Sequence, residues 1–194
     1  MAIDLHPAVH TVAGVLRGIP DDALDDPTPC PDYTVGDLID HVHGFCLAFT
    51  AAAVKEPLDP ETANQNAKGT AARLGDDWRE RVPRRLVELA AAWDDPGAWE
   101  GTTAAGGIDL PGDVAGLISL DEVVVHGWDL AVATGQPYEP PSEVLDPLHT
   151  FVQGFVGDGP PREGLFGPQV PVPDGAPLLD RVLGLTGRDP GWSP

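Results

Sequence analysis

The chain is short of cations, short of cysteine and without a long apolar run, and each shortage argues against a class of protein. Eleven Lys and Arg stand against 31 Asp and Glu, a formal charge of −20 at pH 7. A field of that sign repels nucleic acid and anionic membrane, so polyanion partners are not expected. The acidity does not identify a chemistry, because selection for solubility and a salty cytoplasm produce the same excess. No apolar stretch approaches the roughly eighteen residues that a membrane-spanning helix requires. The opening MAIDLHPAVH has neither a basic leader nor an apolar core, so a cytoplasmic location is expected. Cys30 and Cys46 have no CxxC spacing, and in a reducing compartment both are expected as free thiols. No internal repeat is present. Little alternates as strand, and PQVPVP is at most a short edge strand because its prolines cannot serve a central one.

What is present is helical periodicity. The chain has 194 residues, 42% of them hydrophobic, enough for one domain with a substantial core. Leu5, Val9, Val12, Ala13 and Leu16 place a first helix from Ala2 to about Gly18, stopped by Gly18 and Pro20. IPDDALDDPTPCPDY is a loop by composition. Thr34 then supplies an N-cap with Asp37 as its capping-box partner, and Val35, Leu38, Ile39, Val42, Phe45, Cys46 and Phe49 continue a second helix to about Val54. The polar KEPLDPETANQNAKG separates it from a third helical region, Ala71 to Trp93, which Pro83 should kink or split. DDPGAWEGTTAAGGIDLPGD is too rich in Gly and Pro to be regular for long. Asp113 can cap a fourth helix that Gly135 stops in the left-handed conformation. A fifth runs from Ser142 to about Val156 and a short sixth from Ala176 to Leu185. The expected fold is all-α: an antiparallel four-helix bundle with additional short helices and long connections. It forms one domain over residues 1–194, with 158–194 a C-terminal extension packing on the bundle.

Within DEVVVHGWDL, Glu122 and His126 are one helical turn apart on one face, and Asp129 continues that face at i+7. Ile118, Ala115 and Ala133 extend the face, so the ionisable groups look into the bundle, a costly placement unless they are paired or hold a metal. The valines also suit a strand, where Glu122 and His126 would again share a face, but segment length and terminal signals favour helix. His41 in DLIDHVHGF shares the side of Leu38, Val42 and Phe45 and is the best third donor. His43 points about 200° around the helix and is read as a solvent or packing histidine. Two imidazoles and one carboxylate match the three-ligand set of catalytic zinc sites with an open fourth position. They also match the facial triad of non-haem iron, and a buried Glu122–His126 hydrogen-bonded pair with His41 packed separately is the simpler alternative.

PTPCPDYTVGDLIDHVHGF, then DEVVVHGWDLAVATGQ, then APLLDRVLGLTGRDPGW resemble, in that order and over nearly the whole chain, a known family. It comprises the actinobacterial metal-binding proteins related to the N-terminal domain of mycothiol-dependent maleylpyruvate isomerase, within the wider DinB-like superfamily. The resemblance implies that His41, Glu122 and His126 bind a divalent metal, most often zinc, in an antiparallel four-helix bundle. It makes Asp129 an outer partner of the ligands, with a plain helix-surface or tertiary hydrogen bond as the other reading. The isomerase itself resembles a longer protein whose C-terminal domain contributes to its active site, and this chain is expected to lack most of that part. The function so implied is a metal-dependent transferase or isomerase using a low-molecular-weight thiol such as mycothiol on a small-molecule substrate, as monomer or homodimer. A non-catalytic metal or small-molecule binding protein and a non-haem iron oxygenase are the alternatives. Arg188 in GRDP can reach an anionic substrate by a bidentate contact or anchor the tail against a carboxylate. Cys30 in the TPC turn is read as structurally buried in preference to reactive, and Trp128 as packing away from His126.

Overall fold

The first helix, α1 (His6–Gly18), starts at the proline and not at Ala2. Pro7 occupies the opening turn, where its missing N–H costs no helical bond, and Asp4 Oδ1 accepts the His6 N–H at 2.8 Å. The computed structural model describes residues 2–65, 68–156 and 166–194. Helix α2 (Val35–Val54) carries the expected reciprocal cap. Thr34 Oγ1 accepts the Asp37 N–H at 3.3 Å and Asp37 Oδ2 accepts the Thr34 N–H at 3.2 Å, so two orphan donors are satisfied at once.

The connection after α2 is not wholly irregular, since it contains a short helix, α3 (Pro60–Gln65). The expected third helical region divides at Gly75, whose φ is 66°. Before it lies a single 3-10 turn, Ala71–Arg73, and after it α4 (Trp78–Trp93). Pro83 does not split α4. It removes the bond to the Arg79 carbonyl, and the fully buried Val82, Leu86 and Leu89 hold the helix together through tertiary packing.

The Gly-rich stretch expected to be irregular contains a hairpin. Strands β1 (Thr102–Ala105) and β2 (Ile108–Pro111) pair antiparallel with Thr103 opposite Leu110. Gly106 and Gly107, at φ 59° and 81°, form the two-residue turn whose positions both need left-handed backbone. PQVPVP forms no strand. Its Val170 N–H instead donates to the Gly184 carbonyl at 2.9 Å.

Helix α5 (Gly112–Ala133) follows Pro111 directly. Asp113 is not its cap but a first-turn acid, with Oδ1 accepting the Val114 N–H at 2.9 Å, where a carboxylate complements the helix dipole. Gly135 ends α5 at φ 65°, and Gln136 N–H returns to Ala131 O at 2.8 Å, the Schellman closure. Helices α6 (Ser142–Val156) and α7 (Leu178–Leu185) complete the described elements.

Four helices close a ring: α2 packs on α4 and α5, and α1 packs on the same two. This is the all-α antiparallel four-helix bundle. Helix α5 is buried nearly all round, which explains its run of valines. Two glycines let neighbours approach it. A Cβ at Gly116 would meet the Trp99 ring at 2.6 Å, and one at Gly127 would meet Val12 Cγ2 at 2.5 Å and Tyr138 Oη at 2.6 Å. The hairpin leans on α2 and α5, and α7 packs on α6. Of the expected C-terminal extension, residues 158–165 lie outside the described residues. Among the described residues no helix is long and apolar enough to cross a membrane.

Candidate metal centre

Glu122 and His126 stand on consecutive turns of α5, and His41 meets them from the adjoining α2. Glu122 Oε2 lies 3.2 Å from Nε2 of His126 and 3.4 Å from Nε2 of His41. Despite that closeness, Oε2 is buried with no aligned hydrogen-bond partner among the described residues. Donor atoms around one tetrahedral zinc ion with bonds of about 2.0–2.1 Å stand roughly 3.3–3.4 Å apart. The observed spacing and the orphaned oxygen both fit a shared cation better than a hydrogen-bonded pair.

The ring orientations are set by packing. His41 and His126 meet edge to face with centroids 4.9 Å apart, Tyr33 stacks on His41 at 5.1 Å, and Phe45 stacks on His126 at 6.4 Å. Asp129, one turn beyond His126, accepts from His126 Nδ1 at 2.9 Å. That bond places a ring proton on Nδ1 and turns Nε2 toward Glu122 and His41. Arg188 closes the row: its Nε donates to Asp129 Oδ1 at 3.3 Å and its Nη2 to Oδ2 at 3.1 Å. The structure thus places Arg188 against a carboxylate of the protein itself.

The electrostatics follow from this crowding. Burial pushes the Glu122 carboxyl up, but the His126 and His41 imidazoles beside it more than reverse that and hold it far below the carboxylate range. Burial pushes His126 down, and Asp129 and Glu122 override it, raising the imidazole to about 9 in the metal-free protein. Burial and the neighbouring Glu122 charge push Asp121 up to about 8. Burial also raises the Cys30 thiol, opposed by Arg188. Cys30 and Cys46 are both free, the first half-buried and the second buried. His43 sits half-buried with Arg81 Nη1 at 3.3 Å from its Nε2, and Trp128 is buried.

Sequence reasoning missed Tyr33, Gly69 and Asp121. Tyr33 is delivered by the loop before α2, where Thr28 Oγ1 accepts the Cys30 N–H at 3.2 Å and donates to the Tyr33 carbonyl at 2.8 Å. Gly69 lies so close over α2 that a Cβ would come within 2.8 Å of His41 Cβ and 2.2 Å of the Asp37 carbonyl. Two carboxylates pin its segment: Asp40 Oδ2 accepts Thr70 N–H at 2.9 Å and pairs with Arg73 at 2.7 Å, while Asp37 Oδ1 accepts Ala71 N–H at 2.8 Å. A cavity of about 420 Å³, lined by Asp32, Asp37, Lys68, Gly69, Thr70 and Arg73, adjoins the cluster through Gly69 without being lined by the three donors.

The fold is an all-α helical bundle in which two imidazoles and a carboxylate converge between α2 and α5. Residues 5–131 match the family model described as the mycothiol maleylpyruvate isomerase N-terminal domain, and the chain belongs to that family. It is 29% identical over 185 residues to uncharacterised proteins from two strains of Mycobacterium tuberculosis, with 91% of this chain and 91% of each relative covered. The fold is similar to a crystal structure of the mycothiol-dependent maleylpyruvate isomerase, with a TM-score of 0.59 at 19% identity over 77% of this chain and 68% of that one. It is similar also to a histidine-to-alanine mutant of that enzyme, with a TM-score of 0.58 at 18% identity.

Proposed function

We propose that this protein is a metal-dependent thiol-handling enzyme, an isomerase or transferase. In this reading His41, Glu122 and His126 hold a divalent metal, with zinc the ion suited to the donor set, and a low-molecular-weight thiol of the mycothiol type is the cosubstrate. The observation that carries the reading is the convergence of two imidazole nitrogens, at 3.2 and 3.4 Å, on one buried carboxylate oxygen that has no aligned hydrogen-bond partner among the described residues. Family membership supports the thiol.

A divalent metal at this point supplies Lewis acidity, which lowers the pKa of a thiol or water reaching it. The protein's residues prepare that chemistry. Two neutral imidazoles and one carboxylate offset only one of two positive charges, so the site favours an anion in its open position. Asp129 keeps the His126 proton on Nδ1. Tyr33 and Phe45 cover ring faces of the two histidines and keep water from their flanks. Arg188, paired with both oxygens of Asp129, holds that carboxylate from the C-terminal tail. A thiol brought to this site would add as its thiolate to an activated double bond, allow rotation about the single bond so formed and be expelled again as thiolate. In a conjugation it would remain bound while the carbanion of the adduct takes up the proton that the thiol gave up.

The surrounding properties belong to the same proposal: a cytoplasmic protein, monomer or homodimer, without nucleic-acid or membrane partners. A reducing compartment keeps both free cysteines and the cosubstrate as thiols. The test is a screen of zinc-loaded protein for thiol-dependent cis–trans isomerisation and thiol conjugation of small electrophiles. Turnover that requires thiol and is abolished by Glu122→Ala supports the reading. Tight binding of thiol or substrate with no product contradicts it and makes the protein a binding module.

A further inference from the structure

Arg188 is the first residue beyond the closure of α7. Gly187 adopts φ 85°, and Arg188 N–H returns to Leu183 O at 2.8 Å, a second Schellman motif. Close backbone approaches hold this end in place. A Cβ at Gly187 would lie 2.7 Å from Gly167 Cα, and one at Gly184 would lie 2.6 Å from the Val170 carbonyl oxygen. From there the Arg188 side chain, only 14% exposed, reaches across to α5. Two of its donors grip the two oxygens of Asp129, and Nη1 donates to the Thr186 carbonyl at 3.3 Å.

Asp129 is fully buried, and its Oδ2 is shared between Arg188 and His126 Nδ1. A carboxylate with one partner can swing about its side-chain torsions. A planar guanidinium bonded to both oxygens fixes the carboxylate plane as well as its charge. Outer partners of this kind orient metal-ligating histidines and govern affinity.

We propose that Arg188 is a positioning residue of the metal centre. By clamping both oxygens of Asp129 it sets the angle at which Asp129 holds the His126 ring, so the C-terminal tail tunes a site to which it gives no ligand. This rests on the metal reading above, and it adds to Arg188 a role exerted through Asp129 and not on the substrate.

The test compares zinc affinity, by competition with a chromogenic chelator, in the parent, Arg188→Met and Arg188→Lys, with metal-free unfolding curves confirming that each is folded. Arg188→Met is expected to weaken zinc by roughly 10–100-fold, the usual cost of losing an outer partner. Arg188→Lys keeps the charge without the fork and falls between the two. Should Arg188→Met fail to fold, Arg188→Lys decides. Folded variants with parental affinity overturn the proposal. The second readout needs no metal: the slowly exchanging downfield proton on His126 Nδ1 is expected in the parent and lost to exchange in Arg188→Lys. If the parent takes up no zinc, the metal reading fails by itself, and a parental His126 resonance in Arg188→Lys then overturns the positioning role separately.

Discussion

His41 Nε2 on α2 stands 3.4 Å from Glu122 Oε2 on α5. Glu122 and His126 are neighbours by helical spacing alone, but the His41–Glu122 distance exists only because α2 packs along α5 and Phe45 and Tyr33 fix the His41 ring. A pair of donors on one helix binds metal weakly, and the interhelical donor completes the set. His41→Ala should therefore reduce zinc affinity by more than roughly 100-fold, beyond the cost of losing an outer partner, with its helical circular dichroism unchanged. Parental affinity in a folded His41→Ala would exclude the three-donor site.

The metal-free protein should lose stability as the pH rises. His126 is raised from 6.5 to about 9 because Asp129 and Glu122 outweigh its burial, and burial with the Glu122 charge raises Asp121 from 3.8 to about 8. Both groups hold protons more tightly folded than unfolded. The stability they contribute is complete below their unfolded values and is lost as the pH climbs through about 8 and about 9. Glu122 is shifted down, so its contribution is lost only in acid. Chelated protein should thus melt at a lower temperature at pH 9 than at pH 6.5, and zinc should reduce the trend by taking the proton's place at His126. A melting temperature of chelated protein that rises over this interval contradicts the assignment.

Asp121 tests the same electrostatics at one residue. Its Oδ1 is buried without a hydrogen-bond partner among the described residues, and an amide of the same shape carries no charge to desolvate. Asp121→Asn should stabilise the metal-free protein by on the order of 1 kcal/mol or more, the scale of one pKa unit, above pH 8 relative to its effect at pH 4, near the unfolded value of the carboxyl. Urea unfolding at the two pH values measures this. A loss of stability at both would show that the carboxylate is needed where it lies.

Gly127 separates the site from the helix behind it. An added methyl would press on Val12 of α1 and on the Tyr138 hydroxyl, which donates to the Val124 carbonyl at 2.9 Å. Gly127→Ala should cost about 1–3 kcal/mol, the usual penalty for overpacking a filled core. A variant as stable as the parent in urea would mean that α1 and Tyr138 yield freely.

Features written in local sequence were legible, and those made by distant packing were not. The Thr34–Asp37 box and the Glu122–His126 spacing are set within a turn or two, so the elements that carry them could be read directly. Which side of α2 faces inward followed from Leu38, Val42 and Phe45, and this brought His41 into the set. The hairpin had a local signal in Gly106–Gly107, but its four-residue strands are too short to alternate convincingly. Pro83 shows the opposite case: the local rule predicts a break, and burial of Leu86 and Leu89 keeps α4 whole. Tyr33, Gly69 and the Arg188–Asp129 clamp come from loops and tail, whose positions depend on contacts no short window contains.

The central claim is a single metal held by His41, Glu122 and His126, and metal content tests it most directly. Protein purified without added chelator, and again after incubation with zinc and desalting, is analysed by inductively coupled plasma mass spectrometry beside Glu122→Ala. One zinc equivalent per chain in the parent and a small fraction of that in folded Glu122→Ala is the predicted result. A parent chain that carries no metal and takes up none, or a Glu122→Ala variant loaded as fully as the parent, would contradict it.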